Sequence, residues 1–517
     1  MKTKSLIEST IILTASSIFT RLIGFFYRIY MNRELGTYQM GLYQLIMPIY
    51  TLMWSLICSG FTSTISKLTS EYSALGDKRT MKKVFIHSTT CSVFLGIVVM
   101  IIFLKFSDLI SIMFLNEELL AFPLKILSLS FPFMALGSCV RGYFFGLQQP
   151  VTPSKSQILE QLSRIGLISL FIYLTGELTI PIAILGIVFA ETISCIYVFI
   201  KYLNFNKKYF KVDYSKKAIE KNIVPIIFFS ALPLTLNRVI HSLLHTFENL
   251  IINKKLIVFG LSKEDALSEF GKITGLTFPL IFFPTTIVLS ISTSLLAKIS
   301  SLKAQKNIKA INSLLYKVFV FTLLLSMFFA SFFIVFSKEI GAILYNTDIS
   351  FYLVFFGIFS PLVYIQMILS SILNGLGKEF TLFINSTFSS LLTIIVISLL
   401  IPKYGILGFL FAYALSIIWE VTFNYFVISK QININFSIIN LSFKPFLVFI
   451  FTTILTSLYK NSLNNTFSLN SFIILSLVHI CIYSIFLIIL KVISISDIKK
   501  ILSLIKTNLG KLSHKYD

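Results

Sequence analysis

Charged residues are scarce in this chain of 517 residues. Asp, Glu, Lys and Arg together make up 13% of it, whereas they make up about 25% of a typical soluble domain. Hydrophobic residues make up 56%, and the mean hydropathy is +0.87. Surface this apolar must face lipid. The composition therefore excludes a secreted domain, a soluble enzyme and a DNA-binding module, and it predicts an integral membrane protein.

Several signatures of catalytic chemistry are also missing. A nucleotide-binding G-x-x-x-x-G-K-[ST] loop is absent, since Gly377 and Lys378 are followed by Glu379, and neither an H-E-x-x-H motif nor a nucleophile elbow occurs. The five cysteines lie in apolar stretches without C-x-x-C spacing, which is typical of small buried hydrophobic residues. We therefore predict that the protein is not an enzyme and holds neither a metal nor a cofactor.

Long apolar runs, by contrast, are abundant. A helix needs about 20 mainly apolar residues to cross a bilayer. The alternating pattern of a transmembrane barrel, with segments of about ten residues, is not seen. We expect the first run to be a span and not a cleaved signal peptide, because Arg21 and Arg28 interrupt it and no A-x-A-like site follows. The fourteen predicted spans lie at about residues 8–30, 40–66, 84–105, 119–147, 157–175, 181–203, 223–247, 270–297, 313–336, 351–375, 381–401, 406–428, 442–459 and 469–490.

Basic residues alternate between successive loops. Lysines crowd the loops after spans 2, 6 and 8 and the tail after span 14, whereas the opposite loops are sparse in charge or balanced. Cytoplasmic loops carry the excess of Lys and Arg. This pattern predicts a multi-pass protein of the cytoplasmic membrane with both termini in the cytoplasm. The net charge of +22 is therefore interpreted as a signal of orientation, and no nucleic acid partner is expected.

An internal repeat relates spans 1–6 to spans 7–12. The segment FTSTISKLTS (61–70) resembles STSLLAKISS (292–301) at an offset of 231, and ASSIFTRLIG (15–24) resembles LPLTLNRVIH (232–241), which aligns Arg21 with Arg238. Parallel repeats imply an axis along the membrane normal and a central site that opens alternately to each side. We predict two pseudo-symmetric six-helix lobes at 1–222 and 223–440, two further helices at 441–492 and a cytoplasmic tail at 493–517.

Arginine is rare, and most arginines lie within or at the ends of the predicted spans and not in the loops. Only seven of the 44 basic residues are Arg, and five of these fall inside or at the ends of spans. An Arg at a helix centre costs roughly 3 kcal/mol on insertion scales, so it usually faces a bundle interior or a watery cavity and marks function. Guanidinium groups bind phosphate through two parallel hydrogen bonds and stay charged. We therefore predict that Arg21, Arg28 and Arg238 bind a diphosphate.

Other polar groups within the spans are candidates for lining the cavity or for coupling to an ion. His241, His245 and Glu248 follow Arg238 at helical spacing, and His245 aligns with Arg28 under the repeat. The remaining candidates are charged residues of spans 4, 5, 6 and 12, namely Arg141, Glu160, Arg164, Glu191 and Glu420.

Each of these residues also has a structural interpretation. Glu160 lies four residues before Arg164, the favourable order for an ion pair. Arg28 and Arg141 lie near span ends, where they can extend their charged groups to the membrane surface. The histidines can serve packing or interhelical hydrogen bonds, and Glu191 and Glu420 can pair with an Arg instead of binding H⁺ or Na⁺.

Three segments carry a family resemblance. RLIGFFYRIYMNRELGTYQMGLYQLIMPIY (21–50), ISKLTSEY (65–72) and RGYFFGLQQPVTPSKSQILEQLSR (141–164) resemble the bacterial stage V sporulation protein B group. That group lies in the MOP exporter superfamily and is similar to the MurJ lipid II flippases. The resemblance implies a V-shaped pair of lobes around a cationic cavity, with the family's cavity arginines carried onto Arg21, Arg28 and Arg238. It also implies that spans 13 and 14 line a groove for a lipid tail.

The function implied by this resemblance is that of a flippase for undecaprenyl-diphosphate-linked sugar precursors, such as those of cell wall or spore cortex peptidoglycan. Transport would be by alternating access, driven by the membrane potential, Na⁺ or H⁺, and cell-wall synthesis enzymes are candidate partners. Three alternatives remain open: an exporter of another lipid-linked unit of O-antigen or teichoic type, a cation-coupled multidrug antiporter, and a scaffold for cell-wall enzymes.

Overall fold

A computed structural model describes residues 3–209, 222–305, 307–432, 438–462 and 469–492. The described residues are 92% helical and contain no strand. The predicted all-α class of membrane protein is confirmed.

The helices follow one another with short connections. In chain order they are α1 (Thr3–Trp54), α2 (Gly60–Ala74), α3 (Lys78–Ile110), α4 (Ala121–Ser128), α5 (Phe131–Gly146), α6 (Val151–Thr175), α7 (Ile180–Tyr209), α8 (Val224–Phe259), α9 (Lys263–Gly271), α10 (Phe278–Phe282), α11 (Thr285–Ala304), α12 (Ile308–Val335), α13 (Ser337–Tyr345), α14 (Ser350–Gly375), α15 (Glu379–Tyr404), α16 (Ile406–Gln431), α17 (Ile438–Ser462) and α18 (Leu469–Ile489). Turns of π-helix lie at Ser55–Ser59, Ser111–Leu115 and Lys272–Thr277.

Eleven helices among the described residues are long and apolar enough to cross a membrane, or up to thirteen if each of two bent pairs forms one span. The first of them, Ser16–Ala74, has 59 residues. At 1.5 Å per residue it would be about 88 Å long if straight, roughly three times the apolar thickness of a bilayer. Gly36 interrupts it with φ 72° and ψ 174°. The segment thus covers the predicted span 40–66 and most of 8–30, and the predicted count of fourteen requires that it be counted as two spans.

Two predicted spans are broken helices. Span 119–147 consists of Glu118–Ser128 and Phe131–Gly146, which meet at 46°. Span 270–297 is interrupted between Phe282 and Thr285. Proline accounts for both positions, because Pro132 lies in the first turn of α5 and Pro284 directly precedes α11. A proline has no amide hydrogen to donate to the preceding turn.

The chain divides into two compact units. The first consists of Met1–Pro279 and Phe383–Ser416, and the second of Leu280–Leu382 and Ile417–Asp517. The lobe boundaries expected from the repeat, at residues 222 and 440, stay a prediction.

In the first unit, small residues bring helices close together. A side chain at Gly142 or Gly146 of α5 would collide with the main-chain carbonyl of Thr62 or Ser66 on α2. Such close approach is typical of membrane helices, where packing cannot rely on a hydrophobic difference between lipid and protein. The α2 and α5 helices therefore pack closely against each other, and both contribute residues to the cavity described below.

In the second unit, a buried polar cluster joins three helices. His479 on α18 is fully buried, with Nε2 3.0 Å from the hydroxyl of Ser331 on α12 and Nδ1 3.2 Å from the hydroxyl of Thr456 on α17. Tyr483 donates a hydrogen bond to the carbonyl of Leu324 on α12. These contacts fix α17 and α18 against α12. The predicted lipid-tail groove along residues 441–492 stays a prediction.

Candidate functional site

The first unit contains a cavity of about 500 Å³ within the transmembrane helices. Its walls come from α1, α2, α5, α6 and α7. Apolar and polar groups both face it, and four of the lining residues carry charge. The lining residues are Ser17, Thr20, Arg21, Tyr50, Thr51, Trp54, Thr62, Ser138, Arg141, Phe145, Gln157, Glu160, Gln161 and Glu191.

Arg21 projects from α1 into this cavity and is exposed. Among the described residues, no carboxylate lies within 4.0 Å of its guanidinium group. A hydrogen bond of 2.9 Å from Ser16 to Ser154 joins α1 to α6 one turn away. The Arg21 charge is thus presented to the cavity without a counter-ion.

Arg141 on α5 lies deeper and is only 9% exposed. Neutral hydroxyls hold its guanidinium group: Nη1 donates to Ser194 at 3.2 Å and Nη2 donates to Ser138 at 3.1 Å. Two carboxylate oxygens lie farther away, Glu160 Oε2 at 3.9 Å and Glu191 Oε2 at 4.0 Å. The interpretation that Arg141 extends to the membrane surface is wrong, because its charge is buried among these groups.

Both carboxylates have a shorter contact elsewhere. Glu160 accepts a hydrogen bond of 3.0 Å from Arg164, the next turn of α6. Glu191 on α7 accepts one of 2.7 Å from the hydroxyl of Tyr50 on α1. The predicted pair of Glu160 and Arg164 is confirmed. The charged residues that line the cavity, Arg21 and Arg141 against Glu160 and Glu191, sum to zero. Arg164 pairs with Glu160 from outside the lining and brings the group of five to one net positive charge.

A second set of predicted residues lies on α8. Arg238, His241 and His245 are exposed and Glu248 is half-buried. Arg238 Nη1 donates to the main-chain carbonyl of Ser59 at 3.3 Å, and the side chain of Asn249 lies 3.2 Å from His245 Nδ1. None of the four predicted residues is among those that line the cavity. Their role in substrate binding stays a prediction.

Two further predicted residues also lie outside the cavity lining. Arg28 is exposed on α1, about two turns beyond Arg21. Glu420 on α16, in the second unit, accepts a hydrogen bond of 2.5 Å from Gln366 on α14. The structure therefore places Arg21, Arg141, Glu160 and Glu191 around one cavity, with Arg164 paired to Glu160 behind it, and the other predicted positions do not line this cavity.

Two lining residues of α6, Gln157 and Gln161, were not predicted from the sequence. They lie at spacings of three and four from the predicted residues Glu160 and Arg164, which places all four on one face of a helix. This polar stripe could have identified the lining residues of α6 from the sequence. Tyr50 could not be identified in this way, because a tyrosine in an apolar run is common and its partner Glu191 lies 141 positions away. Among the described residues, no group of three or more His, Cys, Asp or Glu could hold a metal ion.

Comparison with known proteins identifies relatives of this chain. Residues 6–257 match the family model described as "Polysaccharide biosynthesis protein". Stage V sporulation protein B of Bacillus subtilis (strain 168) is 27% identical over 452 residues, which cover 85% of this chain and 86% of that protein. Lipid II flippase MurJ of the same organism is 26% identical over 168 residues, or 31% of each chain.

Solved structures share the fold. A structure of lipid II flippase MurJ in an inward closed conformation matches with a TM-score of 0.67 at 19% identity, covering 92% of this chain and 98% of that one. An inward-facing multidrug resistance MATE family transporter of the MOP superfamily matches with a TM-score of 0.65 at 16% identity, covering 80% and 95%. The predicted resemblance to stage V sporulation protein B and MurJ is confirmed, and the chain shares its fold with the solved MurJ and MATE family structures.

Proposed function

Because this chain is related to stage V sporulation protein B and MurJ, we propose that the protein is a flippase of lipid-linked saccharide precursors. The substrate is an undecaprenyl-diphosphate-linked unit of the lipid II type, carried from the cytoplasmic to the outer leaflet by alternating access. The relatives support the transport of a lipid-linked unit. The choice of a peptidoglycan precursor over another polysaccharide unit, such as an O-antigen or teichoic-type unit, is ours.

The observation that supports this proposal most is the uncompensated charge of Arg21 in a membrane cavity. A cation held in this way would be costly unless a ligand supplies the opposite charge. Phosphate oxygens suit a guanidinium group because two parallel hydrogen bonds can form. A diphosphate diester carries two negative charges, and one of them would pair with Arg21 in a cavity whose other charged residues, Arg141, Glu160 and Glu191, already have partners.

The membrane potential favours the proposed direction of transport. Moving one elementary charge across the whole field changes its energy by about 2.3 kcal/mol per 100 mV. The cell interior is negative, so an anion that moves outward gains this energy. A carrier with excess positive charge at the site lets the anion cross without leaving an unpaired negative charge in the bilayer.

The pairing of the cavity carboxylates with arginines also argues against a multidrug antiporter, although such transporters share the fold. Cationic drugs require acidic groups in the cavity that remain available. Here Glu160 and Glu191 lie beside Arg141, and Glu160 also pairs with Arg164. The cavity therefore offers a cation to its ligand and suits an anionic substrate.

The test is translocation of fluorescent lipid II in liposomes that contain the purified full chain. Wild-type protein should move the lipid between leaflets, and Arg21→Ala should move it at least tenfold more slowly, the loss expected when about 1.4 kcal/mol of binding to the translocating state disappears. Arg79→Ala is the matched control, because Arg79 lies in the first turn of α3 and does not line the cavity. Normal translocation by Arg21→Ala would refute the role of Arg21, and none by the wild type would refute the flippase.

A further inference from the structure

Two side-chain amides of the cavity lining make no hydrogen bond to the protein. Three of the lining hydroxyls are already bonded, because Thr20, Thr51 and Thr62 each donate to a main-chain carbonyl about one turn earlier. The amides of Gln157 and Gln161, by contrast, bond to no other residue in the described part of the chain. Each amide offers donors on its nitrogen and an acceptor on its oxygen, so both kinds of group are available to a ligand.

Two contacts between α1 and α6 fix the level of these amides. Ser16 donates to Ser154 at 2.9 Å, and the guanidinium carbon of Arg164 lies 5.9 Å from the centroid of the Tyr27 ring. Because residue numbers rise together on both helices, α1 and α6 run side by side in the same direction between these contacts. Arg21 lies five residues beyond the first contact on α1, and the two amides lie three and seven residues beyond it on α6. At an equal rise per residue, the amides lie on either side of the level of Arg21.

The same cavity has an aromatic face. Trp54 and Phe145 line it, and neither ring contacts another aromatic ring among the described residues. Trp54 is half-buried and is the last residue of α1, directly before the π-helical turn Ser55–Ser59. Its indole N–H has no acceptor in the described chain, although a tryptophan that packs in a protein usually pairs this group. The indole therefore offers both an apolar face and a donor.

This combination of groups suits a sugar ring. A pyranose ring carries hydroxyl groups around its edge and C–H groups on its faces. Amides can donate to and accept from the hydroxyl groups, and the face of an aromatic ring is slightly negative and can pack against C–H groups. The cavity of about 500 Å³ lies within the range of about 300–1,000 Å³ that is usual for small-molecule sites. A sugar and the phosphate bonded to it are ligands of this class.

We propose that Trp54, Gln157 and Gln161 form a subsite for the sugar that is bonded directly to the diphosphate. The identity of this ligand rests on the proposed function. In a glycosyl diphosphate the first sugar is attached to a phosphate oxygen, so a diphosphate bound to Arg21 places that sugar beside Arg21, at the level of the two amides. The subsite thus distinguishes a lipid carrier that holds a sugar from the same carrier without one.

The preference for the loaded carrier has a physical basis. A bare diphosphate can bind Arg21 but leaves the two amides and the indole without a ligand. Sites built to hydrogen-bond a substrate hydroxyl discriminate against analogues that lack it. One hydrogen bond changes affinity by about two- to tenfold, so the two amides together should contribute about tenfold or more.

The test is direct competition between two lipids that share their tail. The purified full chain in detergent is mixed with equal amounts of lipid II and undecaprenyl diphosphate, and mass spectrometry of the intact complexes counts each bound lipid. The two diphosphates differ in charge, so the ratio of bound lipids is compared between variants and is not taken alone. Wild-type protein should bind mainly lipid II.

The variants separate the sugar from the diphosphate. Gln157→Ala combined with Gln161→Ala should lower the ratio of bound lipid II to undecaprenyl diphosphate by about tenfold. Trp54→Leu should lower it by about fivefold, and Trp54→Tyr should keep most of it, because an aromatic face remains. Arg21→Ala should weaken the binding of both lipids, since both contain a diphosphate.

Gln149→Ala is the matched control. Gln149 is an exposed glutamine shortly before α6 and does not line the cavity, so this variant should keep the wild-type ratio. If the double glutamine variant does not fold, Gln157→Ala and Gln161→Ala should each lower the ratio by about threefold.

A wild-type ratio in the folded glutamine and tryptophan variants would overturn the sugar subsite, as would a wild-type protein that binds neither lipid. This proposal and the flippase fail separately. A ratio that depends on the glutamines, without translocation in liposomes, removes the flippase and keeps the subsite. Translocation of lipid II with a ratio that is indifferent to the glutamines and to Trp54 does the reverse.

Discussion

Arg238 donates a hydrogen bond from Nη1 to the main-chain carbonyl of Ser59 at 3.3 Å, across 179 positions of the chain. Ser59 closes the π-helical turn Ser55–Ser59, between α1 and α2. Turns of π-helix inside α-helices are frequent at functional sites. The contact joins α8 to this turn, so an arginine predicted from the sequence to bind substrate also serves an interhelical contact.

The two roles of Arg238 can be separated by substitution. Arg238→Ala should lower the free energy of unfolding by about 1 kcal/mol, because it removes a hydrogen bond to a carbonyl at a partly buried position. Arg238→Lys should recover that stability, since an ammonium group can also donate. If Arg238 binds diphosphate, the Lys variant should still translocate lipid II slowly, because it lacks the two parallel donors. Thermal unfolding in detergent and the liposome assay measure the two effects, and an Ala variant that matches wild type in both would contradict both roles.

Arg141 should be far more important for stability than an exposed arginine. Arg141→Met leaves Glu160 and Glu191 buried with Arg164 as their remaining cation, and breaking a buried ion pair by removing one partner costs about 3–5 kcal/mol. Combining Arg141→Met with Glu191→Gln removes one charge of each sign and should recover most of the loss. Thermal midpoints of the two single variants and the double variant measure the coupling. Purely additive effects would mean that the two groups do not interact.

Gly60 should tolerate no side chain. A methyl group there would overlap the hydroxyl of Thr235 and the main-chain carbonyl of Ala231 on α8. Gly60→Ala should therefore separate α2 from α8, lower the thermal midpoint and weaken the contact between Arg238 and Ser59. Gly24→Ala is the control, since nothing lies within 4 Å of its would-be methyl group, and helix propensity should make it neutral or stabilising by up to about 1 kcal/mol. Equal midpoints for the two variants would contradict the packing described here.

His479 should hold the last two helices in place. His479→Ala removes both contacts to Ser331 and Thr456 and leaves a gap among aromatic rings, so a loss of about 2–3 kcal/mol is expected. His87→Ala should have little effect, because His87 is exposed on α3. Limited proteolysis should show faster cleavage within α17 and α18 in His479→Ala alone. An unchanged cleavage rate would show that the polar cluster does not restrain these helices.

Local features of the fold and site could be predicted from the sequence. Apolar runs are set by the thickness of the bilayer, and the Glu160–Arg164 pair lies within a single turn of helix. The break at Gly36 lies inside one long helical segment, where a glycine alone predicts little, because membrane helices contain many glycines.

Contacts between distant helices could not be predicted in this way. Arg141 meets Ser194 across 53 positions, and Tyr50 meets Glu191 across 141. Their geometry depends on how α1, α5, α6 and α7 pack, which the periodicity of any one helix does not encode. The sequence therefore identified the charged residues of the cavity, whereas only the structure shows that Arg141 is balanced by carboxylates and Arg21 is not.

The contact between Glu160 and Arg164 has a consequence for biogenesis. Both residues lie on α6, so Arg164 has its counter-ion on the same helix when that helix leaves the ribosome, and the two can enter the membrane as a neutral pair. Arg141 on α5 and Glu191 on α7 have no such local partner and meet only after all three helices have been inserted. The translocon must therefore accommodate α5 with its charge uncompensated until α6 and α7 follow, so these three helices should be released into the lipid together.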